Sequence, residues 1–312
     1  MRVVTIIVMR RVALAAALLA AALGASACTS TAAAGSDGRV VAVGAENEYA
    51  DVIAQIGGKY VDVTAVMSNP GADPHSFESS PSIAGTVASA QLVVQNGLGY
   101  DTFMQQIEQA APAAGRTVIV VQELLGLPGS TPNPHLWYDP RTMPAVAKAV
   151  GAALAAVQPS HKAYFLARVA AFDRSLQPWA RALASDRAAV GGAAAATTEP
   201  VADDLLQAMG VANATPFPFQ ADVMNGVDPS PQDVATEEGL LRSHRAKVLV
   251  YNQQVTDTLT ESLLSLAHAE GIPVVGVYET MPTPGYDYQT WMLAETRAIV
   301  NAIEHGESAA RL

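Results

Sequence analysis

The stretch "RVVAVGAENEYADVIAQIGGKYVDVTAVM" (39–67) sets the architecture. Its two ends, "RVVAVGA" (39–45) and "VDVTAVM" (61–67), are short Val-rich runs that read as buried strands. The middle, "ENEYADVIAQIGG" (46–58), reads as a helix. Strand, helix, strand in immediate succession is the unit of a parallel sheet.

Working outward, the unit repeats. "QLVVQNG" (91–97) and "TVIVVQE" (117–123) read as further strands, with helices over "PSIAGTVASA" (81–90) and "YDTFMQQIEQAAPA" (100–113). In the second half "AVGGAAAATTE" (189–199), "KVLVYNQ" (247–253) and "IPVVGVYET" (272–280) read as strands. "DLLQAMG" (204–210), "DVATEEGLLRSH" (233–244), "DTLTESLLSLAHAEG" (257–271) and "YQTWMLAETRAIVNAIEHG" (288–306) read as helices. The expectation is an α/β protein of two lobes, 39–157 and 188–312, each a parallel sheet flanked by helices. Between them, 158–187 reads as one long helix with a single apolar stripe of Leu166, Val169, Phe172, Leu176, Trp179 and Leu183. Pro178 should bend or break it locally. A stiff joint of this kind resists wide hinge opening.

The N-terminus is of another kind. Arg2, Arg10 and Arg11 precede the apolar run "VALAAALLAAALG" (12–24), which is followed by "ASAC" (25–28). This is the pattern of an export signal over 1–27, too short in its apolar part to span a membrane. Cys28 is the single cysteine of the chain, so an internal disulfide is excluded and another use is implied. The arrangement resembles the bacterial lipobox, with Ala25 where Leu is usual. That resemblance implies a lipid on Cys28, a flexible tether over 28–38 and anchorage to the outer face of the cytoplasmic membrane, on a periplasmic or cell-wall side. Losing the three arginines takes the net charge from −11 to −14. Such acidity excludes nucleic acid as a partner, because phosphate backbones need clustered Lys and Arg.

Motifs for nucleotide, triad and zincin chemistry are absent: there is no Gly-rich phosphate loop, HExxH, GxSxG or paired CxxC. The histidines sort into two groups. His161, His244, His268 and His305 fall in helical segments and read as surface residues. His75, in "DPHSF", and His135, in "NPHLW", each follow a Pro and an acidic or amide residue, in loops after strands. Ligand sites of open α/β sheets collect at such strand ends. Glu199, in "TTEP", and Glu279, in "VYETMP", also follow strands, one lobe away. Taken singly, each carboxylate reads as a charge at a helix N-terminus. Two imidazoles and two carboxylates, two per lobe, suggest more.

At these residues the chain resembles the zinc/manganese solute-binding proteins (cluster A-I) of bacterial metal ABC importers. The resemblance runs from about Val40 to about His305. It rests on "GADPHSFE" (71–78), "AQLVVQNGLGYD" (90–101), "NPHLWYDP" (133–140), "TTEPVADDLLQAMG" (197–210), "DPSPQDV" (228–234), "VLVYNQQ" (248–254) and "VVGVYETMP" (274–282). It implies two lobes joined by a long helix, with one metal ion in the cleft. It also implies His75, His135, Glu199 and Glu279 as ligands. Many zinc-binding relatives have His at the position of Glu199, and Asp is common at that of Glu279. Glu46, Asn96 and Asp139 are candidates for supporting or pocket roles.

The resemblance implies capture rather than catalysis. Zinc or manganese, with ferrous iron as a third option, is taken up outside the membrane and handed to an ABC permease by a monomeric carrier. Imidazole suits zinc, and carboxylates also suit manganese. Between the two Pro-His motifs, "ELLGLPGSTPN" (123–133) lacks the His- and acid-rich loop of many zinc-specific relatives. Two other readings compete: a metal-dependent hydrolase using the same ligands, and a surface adhesin or organic-solute binder with structural histidines.

Overall fold

The computed structural model describes residues 38–69, 77, 80–282 and 284–312. The stretches read as an export signal and a tether, with Cys28, lie outside these residues as far as 37, as does His75 with most of its motif.

Strand β1 (Val40–Glu46) passes into α1 (Asn47–Gly57) and returns as β2 (Val61–Met67). Then come α2 (Pro81–Ser89), β3 (Leu92–Gln95), α3 (Thr102–Ala110), β4 (Thr117–Val120) and the short α4 (Val121–Leu124). These strands form one parallel sheet in the order β2-β1-β3-β4. Helices α5 (Thr142–Val157), α6 (Lys162–Ser175) and α7 (Gln177–Val190) follow. The second lobe runs β5 (Ala194–Thr197), α8 (Asp203–Met209), β6 (Ala212–Asn213), α9 (Phe217–Met224) and α10 (Pro231–Arg242). It finishes with β7 (Val248–Asn252), α11 (Thr258–Ala269), β8 (Val274–Val277) and α12 (Tyr288–His305). Its parallel sheet has the order β6-β5-β7-β8, the same winding as the first.

The local causes are ordinary. β3, β7 and β8 are buried along their whole length, which is why they read as unbroken apolar runs. Asp257 and Asp287 cap α11 and α12, each in reciprocal bonding with a Thr three residues on. Ser80 and Ser230 cap α2 and α10 ahead of a Pro in the first turn.

Three sequence expectations need correction. The strand read over 117–123 stops at Val120. The Gln122 backbone N–H donates to the Asn96 carbonyl, and its side chain bonds Leu98 N and the Leu127 carbonyl, so this segment serves a neighbouring loop instead of the ladder. The helix read over 158–187 is a 3₁₀ turn (Pro159–His161), then α6, then α7 reaching Val190. The step lies at Leu176, and Pro178 occupies the first turn of α7, where a missing N–H costs nothing. Third, Leu166 is half exposed, and Phe165 takes the core position instead. β6 and α9 carried no sequence signal: β6 is two residues long, and helix α9 starts on Phe217-Pro218.

One hydrophobic cluster runs unbroken from β1 through Trp137, Phe165 and Trp179 to Leu205, Tyr288 and Trp291. A smaller cluster, with Phe219, Leu241 and Leu263, belongs to the second lobe alone. The lobes therefore share apolar burial, at about 25 cal/mol per Å² removed from water. Polar ties add to it. The Asn47 amide donates to the Met281 carbonyl (2.8 Å) and accepts the Met281 N–H (2.9 Å), as a strand neighbour would. Gln55 and Gln289 exchange amide bonds of 2.9 and 2.8 Å. Asp51 accepts the Tyr288 N–H at the start of α12.

Candidate metal centre

In each sheet the chain places its second strand on one side of its first and its third strand on the other. Loops leaving these strands diverge, and the crevice they leave at the strand ends is where open α/β sheets bind ligands. The buried polar residues gather there. Glu46 and Asn96 mark the crevice in the first lobe; Thr198, Glu199 and Asn252 mark it in the second.

The first lobe builds its side from a reversal after β3. Gly97, Leu98 and Gly99 all have left-handed backbone, with φ of 85°, 55° and 81°. Leu98 is strained there, and its N–H is held by Gln122 Oε1 at 3.1 Å. Asp101 closes the turn by accepting the Asn96 and Gly97 N–H groups. Burial still pushes its carboxyl up to about 6. The reversal presents Tyr100, whose hydroxyl donates to Glu279 Oε2 across the lobes at 3.0 Å.

Asn96 steadies the next loop. Its Nδ2 donates to the Pro134 carbonyl (2.8 Å), while its Oδ1 accepts the Tyr49 hydroxyl (2.7 Å). His135 follows, packed edge-on against Tyr100 and Trp137 at 5.8 and 5.4 Å between ring centres. Asn133 Oδ1 accepts the His135 backbone N–H (3.1 Å) and lies 2.8 Å from ring Nδ1. The backbone donor settles which end of the Asn133 amide faces the ring, so Nδ1 carries a proton. Nε2 then points at Glu279 Oε2, 3.1 Å away, with both side chains fully buried. A nitrogen lone pair against a carboxylate oxygen is repulsive. A divalent cation placed between the two atoms accepts a lone pair from each. Donor atoms each about 2.1 Å from one cation sit about 3.0–3.4 Å apart, a range that includes this contact.

The second lobe holds its carboxylates with amides. Asn252 Nδ2 donates to Glu199 Oε1 (3.0 Å) and to Glu279 Oε1 (2.8 Å), so one side chain joins both. The Asn252 backbone N–H donates to Thr198 Oγ1 (3.0 Å). Gln254 Oε1 accepts the backbone N–H groups of Glu279 and Thr280. Neither carboxylate begins a helix: α8 starts at Asp203 and α12 at Tyr288. The helix-terminus reading of Glu199 and Glu279 therefore fails.

The structure thus brings His135 and Glu279 into contact and places Glu199 one amide away. Among the described residues no three or more His, Cys, Asp or Glu side chains converge as a ready-made metal cage. Glu46 is fully buried, and burial raises its carboxyl well above the usual range, aided by Asp101 and Glu48. Glu48 behaves alike, again through burial first. Asn96 positions the His135 loop through the Pro134 carbonyl. Asp139 stands apart, bonded to Arg141 in a cleft of about 520 Å³ between the lobes that also includes Asn133, Asp203 and Asp204. Burial and the neighbouring Asp139 and Asp203 push Asp204 up to about 6. Of the other histidines, His161 stacks on Tyr60 at 3.9 Å, while His244, His268 and His305 are exposed. Sequence reading missed Tyr100, Asn133 and Asn252. Their one signal was position: each is polar or amphipathic and follows a strand end or precedes Pro-His.

Two parallel α/β lobes thus meet at paired crevices, with a buried imidazole and buried carboxylates at their strand ends. The chain belongs to the family described as zinc-uptake complex component A, periplasmic (ZnuA), whose model matches residues 43–302. It is 28% identical over 181 residues to the manganese-binding lipoprotein MntA of Bacillus subtilis (strain 168), covering 55% of this chain and 59% of that protein. It is 27% identical over 149 residues to the zinc-binding protein TroA of Treponema pallidum (strain Nichols), covering 46% and 48%. The chain spans about half the length of these curated relatives. The Mn-bound periplasmic metal binding protein from Candidatus Liberibacter asiaticus shares its fold at a TM-score of 0.68 and 18% identity, covering 85% of this chain and 100% of that one.

Proposed function

We propose that the protein captures a divalent transition metal ion outside the cytoplasmic membrane and delivers it to an ABC permease. His135 and Glu279, with Glu199 and His75, are the proposed ligands, and zinc, manganese and ferrous iron the candidate ions. The observation that carries this reading is His135 Nε2, opposed to Glu279 Oε2 at 3.1 Å while Asn133 holds the proton on Nδ1. Family membership and the manganese- and zinc-binding names of the relatives support it. The ion acts as cargo: closing the two lobes on it fills its shell with protein donors, whereas a hydrolytic metal keeps a position open for water. Anchorage through Cys28 and action as a monomer belong to the same proposal.

The test is elemental analysis of protein purified without chelator, followed by competition between zinc and manganese. About one equivalent of metal per chain is expected. Zinc should outcompete manganese in vitro, as the Irving–Williams order requires. Content far below one equivalent after loading with either metal would end the proposal. An exchangeable metal-bound water would favour the hydrolase.

A further inference from the structure

Three residues after His135, and one residue before Glu279, the two ligand-bearing segments meet at a single hydroxyl. Tyr138 Oη lies 2.8 Å from the Tyr278 carbonyl and 2.8 Å from Glu295 Oε2. The Tyr278 N–H also reaches it, at 3.3 Å. Tyr138 and Glu295 are fully buried. The other Glu295 oxygen, Oε1, accepts Trp291 Nε1–H at 2.7 Å.

The proton count around Tyr138 is decisive. A phenol has one proton to give. A carbonyl can only accept, and an ionised carboxylate can only accept. Both contacts are satisfied together in one way: Tyr138 donates to the Tyr278 carbonyl, and Glu295 Oε2 carries a proton that it donates to Tyr138 Oη. If Glu295 ionises, the Tyr138 hydroxyl turns to donate to it and stays a phenol, and two acceptors, the Tyr138 oxygen and the Tyr278 carbonyl, are left facing each other at 2.8 Å. We propose that Tyr138 is a positioning residue that ties the His135 turn to the strand end carrying Glu279, and that protonated Glu295 aims its hydroxyl for that purpose. This rests on the metal-binding reading.

Independent features agree. Burial raises the Glu295 carboxyl to about 8, and the hydrogen bonds that its ionised form would accept from Tyr138, Trp291 and the Tyr278 backbone do not offset it. The titratable groups around this node are Tyr138 from the 136–138 turn, Tyr278 after β8 and, farther off, the Glu48 carboxyl of α1 near Tyr138 and Tyr286 near Tyr278. Arg311, near the C-terminal end, acts on Tyr278. The Tyr278 ring points away from the node, its hydroxyl accepting the Leu312 N–H at 3.3 Å. Across the strand end, Asn47 grips Met281. The Glu279 segment is thus held to the first lobe on both sides of the ligand.

By linkage, if ion binding needs this bond, the loaded protein must hold the Glu295 proton more tightly than the empty one. Affinity is then lost as Glu295 ionises. The experiment measures Mn²⁺ affinity of the full chain from pH 7 to pH 9 for the native protein, Tyr138→Phe, Glu295→Gln and Glu295→Ala. Glu295→Gln can donate from its amide to Tyr138 and accept from Trp291, so it imitates the protonated acid. Expected are a loss of about tenfold in native affinity relative to Glu295→Gln across this range, and near-native affinity for Glu295→Gln at pH 7. Tyr138→Phe should bind about tenfold more weakly at pH 7, with no dependence on Glu295. Glu295→Ala tests loss of the group, and thermal unfolding of each variant separates misfolding from mispositioning. Parallel pH profiles for the native protein and Glu295→Gln would overturn the proposal. If the native protein binds neither Mn²⁺ nor Zn²⁺ at any pH, the metal reading fails instead. The metal-free unfolding profile then still decides the Glu295 proton: native stability should fall from about pH 4.5 to 8 relative to Glu295→Gln, and equal slopes would refute it.

Discussion

The two lobes share one winding and differ in how they hold the side chains proposed as metal ligands. In the first, His135 sits on a loop, and its direction is imposed from outside the sheet by Asn133, Asn96 and the Tyr100 and Trp137 rings. In the second, Glu199 and Glu279 follow strands directly, and one amide at the next strand end, Asn252, grips both. An imidazole has one productive direction, so it needs a cage. A carboxylate has several lone pairs and can rotate, so it needs a tether. The lesson is that equivalent topological positions specify where a ligand stands, while its chemistry dictates what must support it.

This contrast can be broken. Removing the aimed ring should cost most: His135→Ala is expected to lower Mn²⁺ and Zn²⁺ affinity by more than about a hundredfold, beyond the usual loss from a supporting residue. Competitive titration against a chelating dye measures it, and unchanged affinity would remove His135 from the site. Next comes the tether. Asn252→Ala should cost about 10–100-fold by releasing two carboxylates at once. Asn133→Ala should cost about tenfold, because the ring keeps its place and loses only its fixed proton. If Asn133→Ala proved worse than Asn252→Ala, the division between caged and tethered ligands would be wrong.

The smallest effects lie away from the ligands. Glu237 of α10 is buried, and burial pushes its carboxyl up to about 8. The folded chain keeps a proton that the unfolded chain releases near its ordinary value of about 4.5. Stability should therefore fall as pH rises from about 4.5 to 8, and Glu237→Gln should flatten that slope by one proton. Chemical denaturation of the metal-free protein at several pH values checks the sign. Metal affinity should not change, since Glu237 belongs to the second lobe's packing alone.

Much of the fold was legible because parallel strands buried on both faces must be apolar throughout. β1, β3, β7 and β8 show this plainly. β5, a run of alanines ending at Thr197, was legible from its place at the opening of the second half and not from its propensity. β6 was not, since two residues cannot display a period. The helix stripe failed at Leu166 because the sequence shows spacing without phase, and Phe165 takes the buried side. At the site, position at strand ends marked His135, Glu199 and Glu279. Asp139, which followed the second Pro-His motif and read only as a supporting or pocket residue, is turned toward Arg141 by the structure.

Composition and order of residues thus determined the parallel sheets, their alternation with helices and which side chains leave the strand ends, because those depend on local periodicity and chain connectivity. Only the tertiary structure decided which of them meet. His135 and Glu279 are 144 residues apart, and their contact depends on one continuous core and on amides such as Asn47 and Asn252 that no local pattern marks. The proton proposed on Glu295 is of the same kind: it follows from a carbonyl and a buried carboxyl converging on one phenol, which is a property of packing and not of sequence.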